Sequence, residues 1–143
     1  MILVTMHRRE NQGEPMRRVF RVMREVVETH ADIELIYPVH LNPVVQETAD
    51  SILDHHSRIH LIDPLDVVDF HNLAARSYFI MTDSGGVQEE APSLGKPVLV
   101  LRDRTERPEG VQAGTLKLVG TEPQTVKTAM LQLLDDHAEY QRM

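Results

Sequence analysis

The sequence predicts an α/β domain, a parallel sheet covered by helices on both faces. Three observations carry that expectation. Short apolar, β-branched runs alternate with helical stripes along the chain, roughly six times over, which is the pattern of a parallel sheet with helical crossovers. Several of the runs, Tyr78-Phe79-Ile80-Met81-Thr82 above all, are of the kind buried on both faces. The chain has 143 residues with no repeat, low-complexity segment or internal linker, so the elements belong to one domain.

The elements follow in order. Ile2-Leu3-Val4-Thr5 reads as a strand. A polar stretch over 7–14 leads to Pro15, which suits a first helical turn because its missing N–H is not needed there. Met16, Val19, Phe20, Met23, Val26 and Val27 then fall on one helical stripe, with Arg17, Arg18, Arg21 and Arg24 on a face expected to be solvated. A strand is expected over 33–37, a helix over 43–53 and a strand over 59–62. Asp66 is placed to cap a helix over 67–75. A strand over 78–82 is followed by a turn at Asp83-Ser84-Gly85-Gly86 and a helix over 87–94, which Gly95 terminates. A strand over 97–101, a polar loop over 102–114 and a strand over 116–119 come next. Thr121 is expected to cap the last helix, over 123–134, whose Val126, Ala129, Met130, Leu133 and Leu134 share a face.

Composition narrows the function. The chain carries 15 Lys+Arg against 22 Asp+Glu, a formal net charge of −7, which disfavours a general nucleic-acid surface. It contains no Cys, which excludes disulfides, thiol nucleophiles and thiolate-ligated metal sites. There is no apolar run of the ~18 residues that a membrane span needs, and no signal-peptide pattern opens the chain. The expectation is a cytoplasmic protein with no membrane partner. A small anion held by a few placed groups remains compatible with the negative charge.

In parallel sheets ligands bind beyond the carboxyl ends of the strands, so the loops there are the informative ones. The run from Thr82 through Ser84, Gly85 and Gly86 to Glu89 and Glu90 is strand, Ser-Gly-Gly, helix. It reads two ways. Two glycines let the backbone approach a ligand closely, and the N–H groups and dipole of a helix N-terminus favour a phosphate. Glu90, one turn along, would then accept hydrogen bonds from sugar hydroxyls. Alternatively this is a plain tight turn before a solvated acidic helix. It is neither a P-loop nor a nucleophile elbow, since the lysine of the first and the Gly-x-Ser-x-Gly of the second are absent. The loop after the first strand holds His7, Arg8 and Arg9, and the loop over 102–114 holds Arg102, Arg104 and Arg107. Each is either a phosphate clamp or an exposed basic loop. His40 alone reads as structural or solvated, and Phe70 as core. His55, His56 and His60 lack any common metal-ligand spacing, so no metal is expected. No local Ser/His/Asp arrangement or isolated carboxylate pair announces catalysis.

Taken together, several strings resemble the C-terminal domain of the non-hydrolysing UDP-N-acetylglucosamine 2-epimerases. They are His7-Arg8-Arg9-Glu10-Asn11, Tyr37-Pro38-Val39-His40-Leu41-Asn42-Pro43, Asp69-Phe70, the whole run from Thr82 to Pro97, and the Thr105-Glu106-Arg107-Pro108-Glu109 segment running on to Thr115. The resemblance covers nearly all of residues 1–143. It implies one half of a glycosyltransferase-B type fold, with UDP held between two Rossmann-like domains. It implies that Ser84, Gly85 and Gly86 bind diphosphate, Glu90 the ribose and Phe70 the uracil, which overrules the core reading of Phe70. His7, a catalytic residue by this likeness, and Arg107 would lie by the phosphates and sugar. Arg8 and His40 match positions that contact an allosteric second UDP-GlcNAc.

The implied reaction interconverts UDP-GlcNAc and UDP-ManNAc by elimination and re-addition of UDP, with no cofactor, in cell-envelope polysaccharide biosynthesis. Acid/base carboxylates would come from an N-terminal domain, which this chain lacks together with the family's closing Asn-Pro-Tyr-Gly-Asp-Gly segment and final helix. A homodimer of the full-length protein is the implied assembly, and this half alone is expected to be inactive. Two other readings remain open: a sugar-nucleotide transferase of the same fold, and a non-enzymatic UDP-sugar sensor.

Overall fold

A computed structural model describes residues 1–90, 94–102 and 116–142. In chain order its elements are β1 (Ile2–Thr5), α1 (Glu14–Thr29), β2 (Leu35–Pro38), α2 (Pro43–Leu53), β3 (Ile59–Ile62), α3 (Val67–Arg76), β4 (Phe79–Thr82), α4 (Gly85–Glu90), β5 (Val98–Val100), β6 (Leu116–Leu118), α5 (Pro123–Asp135) and α6 (His137–Arg142). A short 3-10 turn, Arg9–Asn11, precedes α1.

The six strands form one sheet in the order β3-β2-β1-β4-β5-β6, every pair parallel. β1 is central and pairs with β2 on one side and β4 on the other, in the register Ile2↔Leu35 and Ile2↔Phe79. The strand order reverses at β1, so the crossovers run outward in both directions and open a crevice beyond the carboxyl ends of β1 and β4. The expected parallel α/β sheet is therefore what forms.

Side-chain alternation divides the core. Ile2, Val4, Phe79, Met81, Leu99 and Leu101 face α1, α2 and α5, while Leu3, Ile80, Val98 and Val100 face α3 and α4. Helix α1 buries its whole expected stripe, with Val22 added. Gly13, at φ +92°, starts it in a conformation that L side chains avoid. Asn42 caps α2 by accepting the Val44 N–H at 2.9 Å, and Asp66 caps α3 by accepting that of Asp69 at 2.8 Å.

Four sequence expectations change. Arg24 is not merely solvated: its guanidinium donates to the Ile52 and Asp54 carbonyls at 2.9 and 3.0 Å, closing the C-terminal end of α2. The cap of α5 is Glu122, not Thr121. The longer side chain reaches both the Thr125 N–H and its hydroxyl, each at 2.8 Å. Those donors hold the Glu122 carboxyl below its usual pKa. The helix after β4 begins at Gly85, so Gly85 and Gly86 are its first residues rather than a preceding turn. Finally, α6 has no counterpart in the sequence reading. It docks through Tyr140, whose ring stacks on Tyr78 at 4.1 Å and whose hydroxyl donates to the Tyr78 carbonyl at 2.6 Å.

Candidate functional site at the carboxyl ends of β1 and β4

The crevice at the reversal point is a cleft of about 330 Å³, lined by Thr5, His7, Pro38, His40, Pro64, Leu65, Asp66, Val67, Phe70, His71, Ser84 and Val87. Those residues come from the ends of β1, β2 and β3 and from the starts of α3 and α4. Four of the expected site residues, His7, His40, Phe70 and Ser84, therefore share one cavity although 77 positions separate the first from the last.

The floor of the cleft is a hydrogen-bonded join between the two central strands. The Thr5 and Thr82 hydroxyls meet at 2.7 Å, and Thr82 Oγ1 also accepts the Ser84 N–H at 2.9 Å. That bond removes the Ser84 N–H from ligand binding and leaves its hydroxyl. The ladder of α4 begins with the Gln88 N–H donating to the Ser84 carbonyl at 3.2 Å. The N–H groups of Gly85, Gly86 and Val87 are the ones that a helical ladder leaves over in its first turn, and Ser84 and Val87, on either side of the two glycines, line the cleft.

Next to Ser84 lies Asp83, a carboxylate with no solvent exposure. Its two oxygens accept the His7 N–H, both at 3.1 Å, the Arg8 N–H at 3.0 Å and the Asn11 side-chain amide at 3.0 Å. Three donors to a charged acceptor offset its burial. Asn11 passes the tie on, donating also to the Leu101 carbonyl at 3.2 Å, just past β5. Beneath, the Tyr37 hydroxyl donates to the Met6 carbonyl. Burial pushes that hydroxyl's pKa far above its usual value, and the Asp83 charge adds to the shift. Tyr37 is thus a neutral donor at any working pH.

The His7 ring stacks on that of His40, with centroids 5.1 Å apart and planes 22° from parallel. His40 Nδ1 also accepts the Asn42 N–H at 3.1 Å, so the expected solitary histidine is held on two sides. Arg8 gives its backbone to Asp83 and pairs its guanidinium with Glu10 at 3.3 Å. Phe70 is half-buried, with part of its ring against the core of the α3 face and part lining the cleft. The side chain of Glu90 and the whole of Arg107 lie outside the described residues. Among the described residues no group of three His, Asp or Glu is placed to hold a metal ion. His55, His56 and His60 take separate partners in Asp54, the Arg58 N–H and Glu34. Also among the described residues, no helix is long and apolar enough to cross a membrane.

Sequence reasoning missed Asp83, Asn11 and the Thr5–Thr82 join. Asp83 was visible inside its motif. The missing signal was its burial: an acid between a buried strand and a helix must find donors, and the nearest strand end is that of β1.

This chain matches, over residues 1–143, the sequence model of the family described as UDP-N-acetylglucosamine 2-epimerase. It is 62% identical over 143 residues to the UDP-N-acetylglucosamine 2-epimerase of Bacillus subtilis, covering 100% of this chain and 38% of that protein. Its structure superposes with a TM-score of 0.97 on S. aureus MnaA solved with UDP, at 59% identity over 99% of this chain and 39% of that one. The UDP-GlcNAc 2-epimerase of Neisseria meningitidis, solved with UDP-GlcNAc, gives a TM-score of 0.97 at 46% identity, over 99% and 38% of the two chains. The chain thus spans somewhat over a third of the length of the relatives it matches. With the whole of its sequence matched, the chain belongs to the UDP-N-acetylglucosamine 2-epimerase family.

Proposed function

We propose that this chain is the UDP-holding C-terminal domain of a non-hydrolysing UDP-GlcNAc 2-epimerase. The observation that carries the reading is the convergence of His7, Phe70 and Ser84 on one cleft at the strand-order reversal. Relatives of 59% and 46% identity solved with UDP and with UDP-GlcNAc support it.

In this reading the diphosphate rests on the Ser84 hydroxyl and the N–H groups of Gly85 and Gly86, where glycine leaves the approach open. Glu90 accepts from the ribose hydroxyls, Phe70 packs on the uracil, and Arg107 and His7 face the phosphates and sugar. Elimination breaks the C1–oxygen bond of the sugar as a base removes the C2 proton, giving 2-acetamidoglucal and UDP. Re-addition forms the C1–oxygen bond again and returns a proton to the opposite face of C2, giving UDP-ManNAc. The charge that develops is on the departing diphosphate, and fixed N–H groups, Arg107 and His7 stabilise it there without reorganisation. The carboxylates that move the C2 proton belong to an N-terminal domain, so residues 1–143 alone bind UDP but do not epimerise. No cofactor enters this route. Arg8 and His40 would contact an effector UDP-GlcNAc beside the substrate, in a cytoplasmic homodimeric enzyme serving cell-envelope polysaccharide synthesis.

Calorimetric titration of UDP into the chain tests the binding half: saturable heat is expected, and none at millimolar UDP would overturn it. Product analysis tests the division of labour, since formation of UDP-ManNAc from UDP-GlcNAc by the pure chain would refute it. The same-fold transferase reading predicts instead no turnover of UDP-GlcNAc by the full-length protein without an acceptor.

A further inference from the structure

We propose that Asp83 is a positioning residue, a buried carboxylate that fixes the direction of the His7 side chain and ties the segments leaving β1 and β4 to Leu101 just past β5. The inference rests on the UDP-site reading above for its functional consequence, but its geometry stands independently.

The peptide joining Met6 and His7 is held at both ends. Its carbonyl accepts from the Tyr37 hydroxyl and its N–H donates to Asp83 at 3.1 Å. A peptide plane with both polar groups fixed cannot rotate; with the plane on the far side of the His7 Cα held as well, the bond from Cα to Cβ of His7 has one direction. The next N–H, that of Arg8, is held by the same carboxylate at 3.0 Å, which fixes the plane on the other side of the His7 Cα. Asn11 adds the third tie, bridging Asp83 to the Leu101 carbonyl beyond β5. Asp83 is itself covalently next to Ser84, and its own N–H donates to the Thr5 carbonyl at 3.1 Å. Displacing the segment after β1, the segment after β4 or Leu101 therefore strains the other two. A buried carboxylate is a costly device for packing alone, and an apolar side chain would serve the core better. Its position, one residue from Ser84 and bonded to the backbone of His7, gives it a second reason to be there.

The test is Asp83→Asn in the chain, read by amide hydrogen exchange, the His7–His40 ring contact by NMR, and UDP titration. Asparagine keeps the size but offers one acceptor oxygen and turns an NH2 toward a donor. The expected result is a loss of exchange protection at the His7 and Arg8 amides, loss of the ring contact, and UDP binding weakened about tenfold or more. Leu133→Ala, a cavity in α5 far from the cleft, supplies the comparison: it lowers the melting temperature with no change in UDP affinity. Unchanged His7 and Arg8 protection in Asp83→Asn overturns the proposal. So does lost protection with unaltered UDP affinity. Should Asp83→Asn not fold, Asn11→Ala decides: severalfold weaker UDP binding supports the brace and wild-type affinity overturns it. A wild-type chain that binds no UDP sinks the proposed function, while exchange and ring contact still decide the role of Asp83.

Discussion

On one side of the sheet, α1 lays seven buried residues, from Met16 to Val27, against Val4, Tyr37 and Met81. On the other side, α3 buries only Ala74, and its first turn leaves Val67 and Val68 at 72% and 68% exposure. The same strands serve both faces, through alternate residues. What differs is how much of each helix comes to rest on the sheet. The first face is closed and carries stability. The second is left open at its carboxyl edge, and the opening is the cleft. Burial of apolar surface and access for a ligand are competing uses of one sheet edge, and this fold assigns them to opposite faces.

That division can be broken by substitutions that move the wrong property. The largest effect is expected at Phe20, which is fully buried and packs edge-on against Tyr37 with ring centroids 5.5 Å apart. Phe20→Ala should cost about 3–5 kcal/mol in urea unfolding, through lost transfer energy and a cavity. UDP affinity measured well below the transition should stay within twofold; a large loss would show that the closed face also shapes the site. Next comes Glu90→Ala, which should weaken UDP binding by about 1.5–3 kcal/mol, the worth of a hydrogen bond to a charged group, and leave the unfolding midpoint in place. Equal dissociation constants for variant and parent would remove the ribose role. Phe70→Ala should weaken UDP by about 1–3 kcal/mol if a base stacks there, and uridine should feel the change as much as UDP. A loss confined to stability would return Phe70 to the core. The smallest effect is expected at Glu122, which is remote from the cleft. Its carboxyl titrates below the usual value because Thr125 donates to it twice. The stabilisation is therefore present above the ordinary glutamate pKa and lost as pH falls through the lowered one. Melting curves of Glu122→Gln and parent should differ slightly at neutral pH and converge in acid.

How much of this was legible in the sequence follows the same division. The α1 stripe was readable because its period is local: every residue that decides it lies within two turns of another. β1, α2 and β3 were likewise placed at the bounds they take. The failures are long-range or small. Helix α6 exists because Tyr140 finds Tyr78, 62 residues away, and no window along the chain contains both. Thr121 was favoured as a cap by residue preference, and Glu122 takes the role because its side chain meets two donors of Thr125 at once. The cleft was only partly readable. The Ser-Gly-Gly turn announced a helix mouth after a strand, but Phe70 and His40 looked ordinary until the sheet brought them beside His7. Asp83 depends on partners 72 to 76 residues away, so its role is written in the topology rather than in any motif.

The central place of β1 has a consequence for synthesis. Ile2–Thr5 is made before both of its neighbours, and its partner Thr82 lies 77 residues beyond Thr5. At about 5–20 residues per second, the ribosome leaves that strand with an unpaired edge for roughly 4–15 s. During that interval a largely apolar strand can pair with any other exposed edge, so the speed at which Phe79–Thr82 emerges sets how long the nascent chain needs shielding.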